Sequence, residues 1–347
     1  MDNESSPNDG ARPRVASETS THRANDRFLN PWPDATPPRF RDVIAWRRTR
    51  DPAPRPRPVL PSRVAPQIEH PRAAPGTLAA TWVGHSTVLL QMGALNVLTD
   101  PVWSARASPV QWAGPRRLTD PGVALSALPP IDVVLLSHNH YDHLDADTVR
   151  TLARRHPAAR WFAPLGVARY VRQWGGRDVV ELDWWDADER DGVRVACMPA
   201  QHASGRTPFD RMRTLWCGWT LRTATHAIYF AGDTASHPEF GEIARRHGPF
   251  DLCILPIGAY EPRWFMRPVH VNPEEAVRAY VDIAAAHPRS PAPAALAVHW
   301  GAFSLADEPM DEPPRLAKAA WGGMGLDPER LWVLSLGETR RATPNGG

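Results

Sequence analysis

The sequence predicts an α/β fold with strands and helices interleaved along the chain, and three observations carry that prediction. Short apolar and β-branched runs recur from about Thr77 onward with turn residues between them. Stretches of helical length and pattern fall between the later runs. Four of the strand-like runs end within a few positions of a His or Asp, and strand-end loops are where α/β layouts gather functional groups.

Residues 1 to about 75 read as a proline- and arginine-rich arm, partly disordered, with room to pack on the large domain C-terminal to it. Pro52-Ala-Pro-Arg-Pro-Arg-Pro and its neighbours suppress helix and sheet there, because proline fixes φ and lacks an N–H. One piece looks ordered. From Phe40 to Arg50, Phe40, Val43 and Ile44 share a helical face beside Arg41, Arg47, Arg48 and Arg50, which suits docking on the main domain or an anionic membrane surface.

Residues 76–343 are expected to form one large domain. Its strands begin with Thr81-Trp-Val, Val88-Leu-Leu and Asn96-Val-Leu. They continue with Asp132-Val-Val-Leu-Leu, Val193-Arg-Val-Ala-Cys, Ala227-Ile-Tyr-Phe, Asp251-Leu-Cys-Ile-Leu and Ala294-Ala-Leu-Ala-Val. Helices are expected at 146–155, 167–174, 238–246 and 273–286, the last with Asn272 as N-cap before Pro273.

The bulk numbers limit the partners. A formal charge of +2 over 347 residues gives no reason to expect nucleic acid, and Lys318 is the lone lysine among basic residues that are otherwise arginine. Cys197, Cys217 and Cys253 stand far apart and suggest no disulfide framework, which fits a reducing compartment. The N-terminus lacks the pattern of a secretory signal, and no apolar run is long enough to span a bilayer. The expectation is a cytoplasmic protein with peripheral contact to the inner face of the membrane.

The chemistry is concentrated in His138-Asn-His140-Tyr-Asp142-His143, a single turn that offers three imidazoles and a carboxylate directly after an apolar strand. His202, Asp233 and His299 lie shortly after the strand ends at Met198, Phe230 and Val298, so four loops can converge on one rim. His and Asp donors with positions left to water mark catalytic zinc, whereas structural zinc favours sets rich in Cys. Seven candidate ligands exceed what one four-coordinate ion takes and suit two Zn2+ sharing a bridging carboxylate. Iron or manganese would accept the same donors.

The order of these motifs resembles that of the metallo-β-lactamase-fold hydrolases. Longer strings, including Arg27-Phe-Leu-Asn-Pro-Trp-Pro, Thr81-Trp-Val-Gly-His-Ser-Thr-Val, Leu182-Asp-Trp-Trp, Gly258-Ala-Tyr-Glu-Pro-Arg-Trp-Phe-Met and His270-Val-Asn-Pro-Glu-Glu-Ala, look like the branch of N-acyl-phosphatidylethanolamine-hydrolysing phospholipase D. That resemblance implies an αβ/βα sandwich of two mixed sheets packed face to face with helices outside. It implies that His138, His140 and His202 hold one zinc, that Asp142, His143 and His299 hold the other, and that Asp233 bridges them. It also implicates Asp100, read either as an acceptor orienting a ligand imidazole or as a turn carboxylate before Pro101, and His270, read either as a proton donor or phosphate contact or as a histidine approaching a helix. His85 is expected to support the site without ligating. The implied reaction attacks a phosphodiester with hydroxide and releases N-acylethanolamine and phosphatidic acid, with His270 as candidate acid.

A two-chain phospholipid substrate implies an apolar, membrane-facing rim, for which Trp103, Trp112, Trp264 and Phe265 are candidates, with burial in the core as the more frequent role of such aromatics. The same analogy allows a homodimer, although the strand patterns identify no edge or apolar patch that would make one. Two other readings stand beside this one: a lactonase or phosphodiesterase acting on a soluble substrate, and a metal-binding scaffold without turnover.

Overall fold

The computed structural model describes residues 22–33, 35–49 and 58–342. Residues 1–21, Arg50 and most of the Pro-Ala-Pro-Arg-Pro-Arg-Pro stretch lie outside the described residues, as does the side chain of Phe40.

Sixteen strands and seven α-helices are described, with two 3-10 turns. The arm contributes β1 (Arg23–Ala24), β2 (Arg27–Phe28) and α1 (Phe40–Thr49). The first large sheet holds β3 (Leu78–Gly84), β4 (Thr87–Met92), β5 (Leu95–Thr99), β6 (Val133–Leu135), β7 (Arg160–Pro164), β8 (Asp178–Leu182) and β16 (Thr339–Ala342), in the order β16-β3-β4-β5-β6-β7-β8. The second holds β9 (Ala187–Arg190), β10 (Val193–Met198), β11 (Gly218–Arg222), β12 (Ala227–Phe230), β13 (Leu252–Pro256), β14 (Ala294–Val298) and β15 (Leu331–Trp332), in the order β15-β14-β13-β12-β11-β10-β9. Both sheets are mixed. The first is antiparallel from β16 to β5 and parallel from β5 to β8, and the second is parallel from β15 to β12 and antiparallel from β12 to β9.

Why the strands read as continuous apolar runs is visible in the packing. Successive side chains alternate faces, and each sheet is covered on both. Val88, Leu90, Val133 and Leu135 meet Ile228, Phe230, Ile254 and Leu296 in the core between the sheets. Leu89, Leu98 and Val134 face outward, against Val149 and Leu152 of α2 (Ala146–Arg155) and Val171 of α3 (Ala168–Gln173). Tyr229, Cys253 and Ala295 face outward on the other side. There they meet α4 (Phe240–His247), α6 (Pro273–Ala286) and Trp321 of α7 (Glu312–Gly323). The result is the αβ/βα sandwich.

Several elements depart from the sequence expectation. The hairpin β1–β2 forms inside the arm despite its proline content, because Phe28 is buried in the inter-sheet core. On α1 the inward residues are Val43 and Trp46, one turn apart, which pack beside Phe265 and Met266, while Ile44 is exposed. Helix α7, which is not among the expected helices, carries Pro313-Pro314 and Gly322-Gly323. The prolines sit in its first turn, where no N–H is needed, and the glycines at its end. The short α5 (Arg263–Met266) has no counterpart among the expected helices.

Asn272 caps α6 with a full capping box: its side chain accepts from Glu275 N at 2.8 Å while Glu275 accepts from Asn272 N at 2.9 Å. Arg263 forks onto the same Glu275 carboxylate at 2.9 and 2.8 Å and donates to His270 O at 3.0 Å. The strings from Gly258 and from His270 are thus joined by one ion pair that braces His270.

One buried histidine outside the centre carries a pH prediction. His237 stacks between Trp32 (centroids 4.7 Å) and Phe240 (4.0 Å), and burial lowers its pKa from 6.5 to about 3. The folded chain therefore holds it neutral where the unfolded chain protonates it, so its stabilising contribution is present above pH 6.5 and is lost as pH falls toward 3. At pH 5 the loss from this residue is on the order of 2 kcal/mol. His237→Phe keeps the stack and cannot bind the proton, so denaturant titrations at pH 7.5 and pH 5 should show a smaller acid loss than in the parent. An equal loss would refute the assignment.

Candidate metal centre

Four strand ends deliver the seven candidate ligands to one place. The turn 138–143 comes after β6 and precedes α2, His202 lies beyond the end of β10, Asp233 lies just after β12, and His299 directly after β14. Five of the seven are buried, and His140 and Asp142, at intermediate exposure, line the open side.

The backbone makes unusual concessions here. Gly232 adopts φ +61°, and a Cβ on it would lie 2.6 Å from the Ser137 Cβ and 2.7 Å from the Cys217 carbonyl, so only glycine lets Asp233 approach the 138–143 turn. His85, Asp100 and His299 are non-glycine residues at φ +54°, +32° and +63°. Strain of this kind, on the order of 1–3 kcal/mol each, persists where the surrounding structure over-determines it, as at functional sites.

Two sets of donor atoms result. In the first, His140 Nδ1 lies 2.8 Å from His138 Nε2 and 3.2 Å from His202 Nε2. His202 Nδ1 donates to the Val269 carbonyl at 2.8 Å, which leaves the Nε2 lone pair facing the other two imidazoles. In the second, His143 Nε2 and His299 Nε2 face the carboxylates of Asp142 (3.3 and 3.5 Å) and Asp233 (3.1 and 3.0 Å). Asp233 Oδ2 is also 3.8 Å from His202 Nε2, so this carboxylate stands between the sets.

Electrostatics separate the two sets. Burial first, and then mutual repulsion among imidazoles, pushes His138 well below its ordinary value and His140 down to about 3, so both are neutral donors. In the second set burial works against charge, but Asp233, Asp142 and Asp100 raise His143 well above its ordinary value, and Asp233 and Asp142 lift His299 to about 9. The two carboxylates are held well below the carboxylate range by those imidazoles despite burial. This is a site that calls for positive charge.

The residues fit a divalent cation on structural grounds. His143 Nε2 and His299 Nε2 meet Asp233 Oδ2 at ion-pair distance without hydrogen-bond geometry, and Asp233 Oδ1 is buried with no hydrogen-bond partner among the described residues, an expensive arrangement unless something else satisfies them. The donors are imidazole nitrogens and carboxylate oxygens, a set suited to zinc, iron or manganese.

Asp100 lies behind the candidate ligands, fully buried, accepting from Ser137 N (2.7 Å), Ser137 Oγ (2.5 Å) and His143 Nδ1 (2.7 Å). It fixes the His143 tautomer with Nε2 free. Asp100→Asn would present an amide N–H2 to His143 Nδ1, forcing the ring proton onto Nε2. Metal affinity should fall by about 10- to 100-fold, measured by competition with a chromophoric chelator, and unchanged affinity would refute this role.

His85 places Nε2 3.0 Å from Asp142 Oδ2 and so supports that carboxylate. His270 is brought to the edge of the centre, its Nδ1 unpartnered and 3.9 Å from Asp233 Oδ2. Of the aromatic candidates, Trp103 is half-buried, donating to Val123 O at 2.9 Å, and Phe265 is buried, whereas Trp112 (81%) and Trp264 (56%) are exposed. Phe209, 82% exposed, carries no sequence signal that distinguishes it. Nor does Arg206, which donates to the Asn139 and Leu144 carbonyls (2.9 and 2.8 Å) and lies 3.8 Å over the Tyr141 ring. Asn139 Oδ1 in turn accepts from Gly205 N at 2.8 Å, which gives the two non-ligating residues of the turn their task.

Comparison with known proteins gives a consistent picture. A family profile described as a beta-lactamase superfamily domain matches residues 95–300. An uncharacterised protein of Mycobacterium tuberculosis is 41% identical over 345 residues, covering 97% of this chain and 88% of its own length. N-acyl-phosphatidylethanolamine-hydrolyzing phospholipase D 1 of Caenorhabditis elegans is 41% identical over 238 residues, 66% of this chain and 65% of that protein. The mitochondrial protein of that description from Saccharomyces cerevisiae is 33% identical over 268 residues, 75% of this chain and 55% of its own length. Among solved structures, Igni18, a metallo hydrolase from Ignicoccus hospitalis, aligns with a TM-score of 0.56 at 21% identity over 76% of this chain and 98% of that one, a likeness of fold alone.

Proposed function

The chain belongs to the beta-lactamase superfamily and is a metal-dependent hydrolase, and from that premise we propose that it is a dinuclear-zinc phosphodiesterase acting on N-acyl-phosphatidylethanolamine-like phospholipids. The observation that carries the reading is the position of Asp233, whose carboxylate stands between a three-imidazole set and an Asp/His set. His138, His140 and His202 would hold one ion, Asp142, His143 and His299 the other, and Asp233 both. Two bound zinc ions would supply a nucleophilic hydroxide near neutral pH and offset charge on the phosphoryl oxygens.

The chain's own residues do the rest. Asp100 and Val269 O hold the ligating rings in register. His270, whose unpartnered Nδ1 lies 3.9 Å from Asp233 Oδ2, would hand a proton or hydrogen bond to the leaving oxygen. A water-derived oxygen bonds to phosphorus, the bond from phosphorus to the ethanolamine oxygen breaks, and that oxygen takes a proton. The products are phosphatidic acid and N-acylethanolamine.

Two relatives bearing the name of this phospholipase activity support the substrate class, although this chain spans only part of each. The exposed Trp112, Phe209 and Trp264 suit contact with a lipid surface. The segments bearing Phe209 and Trp264 are tied to the centre through Arg206 and through Arg263. The test is product identification by mass spectrometry after incubation with N-acyl-phosphatidylethanolamine vesicles, coupled to metal analysis. Phosphatidic acid formed in step with metal content is the expected result. Turnover of a soluble diester or lactone with none on vesicles would replace the substrate assignment, and metal binding without any turnover would leave a scaffold.

A further inference from the structure

We propose that Asn30, in the N-terminal segment, is a positioning residue of the metal centre, its side-chain amide clamping the backbone of His202. The proposal rests on the reading of His202 as a metal ligand and goes beyond it. Asn30 Nδ2 donates to His202 O at 2.9 Å and Oδ1 accepts from His202 N at 3.2 Å, so one side chain pairs both polar groups of that residue as a neighbouring strand would. The remaining amide capacity is also used: Nδ2 donates to Ala35 O at 2.9 Å, and Oδ1 accepts from Trp216 Nε1 at 3.1 Å. Two donors and two acceptors are all that an asparagine has.

The need for such a clamp comes from where His202 lies. It is buried in the loop after β10, beyond the last ladder pair of that strand at Met198, so sheet hydrogen bonds do not fix it. Val269 O fixes the ring through Nδ1, but a ring hydrogen bond sets orientation only if the backbone beneath it is held. Asn30 holds the backbone. Asn30 is itself presented on an anchored segment: Phe28 N donates to Met212 O at 2.7 Å with its ring in the inter-sheet core, and Trp32 stacks on Trp184 and His237. Truncating the amide leaves a buried N–H and C=O unpaired, and the loop must shift to satisfy them, taking the imidazole with it. No other side chain repeats the geometry, since Asp lacks the donors and Gln is a methylene too long.

The segment lies outside residues 95–300, the part matched by the superfamily profile. The centre is therefore completed by a piece of chain 172 positions upstream of the ligand it holds.

The test uses the full chain as Asn30→Ala, Asn30→Asp and His22→Ala, each stripped with a chelator and titrated with zinc against a chromophoric competitor. Asn30→Ala and the isosteric Asn30→Asp should each weaken one zinc by about 10- to 100-fold and leave the other within about threefold. His22→Ala breaks the 2.7 Å His22–Asp183 tether of the same segment without touching the clamp. It should lower the melting temperature and keep both zinc affinities. Parental affinities in both Asn30 variants would overturn the clamp. Equal weakening in His22→Ala would overturn it too, by showing that docking of the segment as a whole is what matters. A parent chain that takes up no zinc would overturn the metal reading beneath it, a result seen before any variant is made.

Discussion

Asp233→Asn should remove most of the bound metal and lower hydrolysis by more than about a hundredfold, because every partner of this carboxylate depends on its charge. Its Oδ2 stands 3.1 Å from His143 Nε2, 3.0 Å from His299 Nε2 and 3.8 Å from His202 Nε2, and its Oδ1 is buried with no partner among the described residues. Asparagine fills the same volume, so packing against Gly232 and the 138–143 turn is kept. What is lost is the anion, and an amide N–H2 pointing at cations adds repulsion. Elemental analysis of the purified variant, with rates measured before and after adding excess zinc, reads the effect directly. Full metal content with parental activity would rule out Asp233 as the shared ligand.

Gly258→Ala should cost about 2–4 kcal/mol of stability and reduce metal content, although residue 258 is not a ligand. A Cβ there would lie 2.1 Å from the His299 carbonyl oxygen and 3.4 Å from the Trp300 Cβ. Neither side can yield cheaply. Glu308 holds the loop after Gly258 by accepting from Ala259 N at 2.6 Å and Glu261 N at 3.0 Å, and Ala259 already sits at φ +63°. On the opposing side His299 is itself at φ +63°, its N–H donating to His85 O at 3.1 Å. The displacement should therefore fall on a ligand. Chemical denaturation of the metal-free protein separates the stability loss from the metal loss, and no change in either would show that the loop relaxes elsewhere.

These two positions differ in how they could be found. Asp233 is legible because a carboxylate after a buried strand and a glycine is a local pattern, carried by covalent neighbours. The same holds for His138, His140, Asp142, His143, His202 and His299, each close behind an apolar run that forms β6, β10 or β14. Gly258 appears in the sequence only as part of a string. Its requirement comes from His299, whose backbone meets it after β13 and β14 pair in parallel.

The fold divides in a similar way. Eight of the ten interior strands and the helices α2, α3, α4 and α6 are evident because burial on both faces or on one stripe leaves a periodic apolar record, whereas the interior strands β7 and β11 are not among the expected runs. The edge strands β9 and β16 are largely polar and β8 is only half-buried, and their place in a sheet is decided by partners elsewhere: β16 lies at one edge of the first sheet, paired with β3. Helix α7 is obscured by prolines and glycines whose effect depends on position within the helix.

By itself, then, the sequence determined the α/β layering and the candidate ligand types at the strand ends, because both are written in the period and the nearest neighbours of each run. Tertiary structure alone decided that Asp233 stands between two donor sets, that Asp100 sets the tautomer of His143, and that Asn30 grips His202. Those are hydrogen bonds and ion contacts between residues far apart in the chain, formed only once two sheets and a proline-rich segment have packed together. A buried polar group must find its partner wherever the fold brings one.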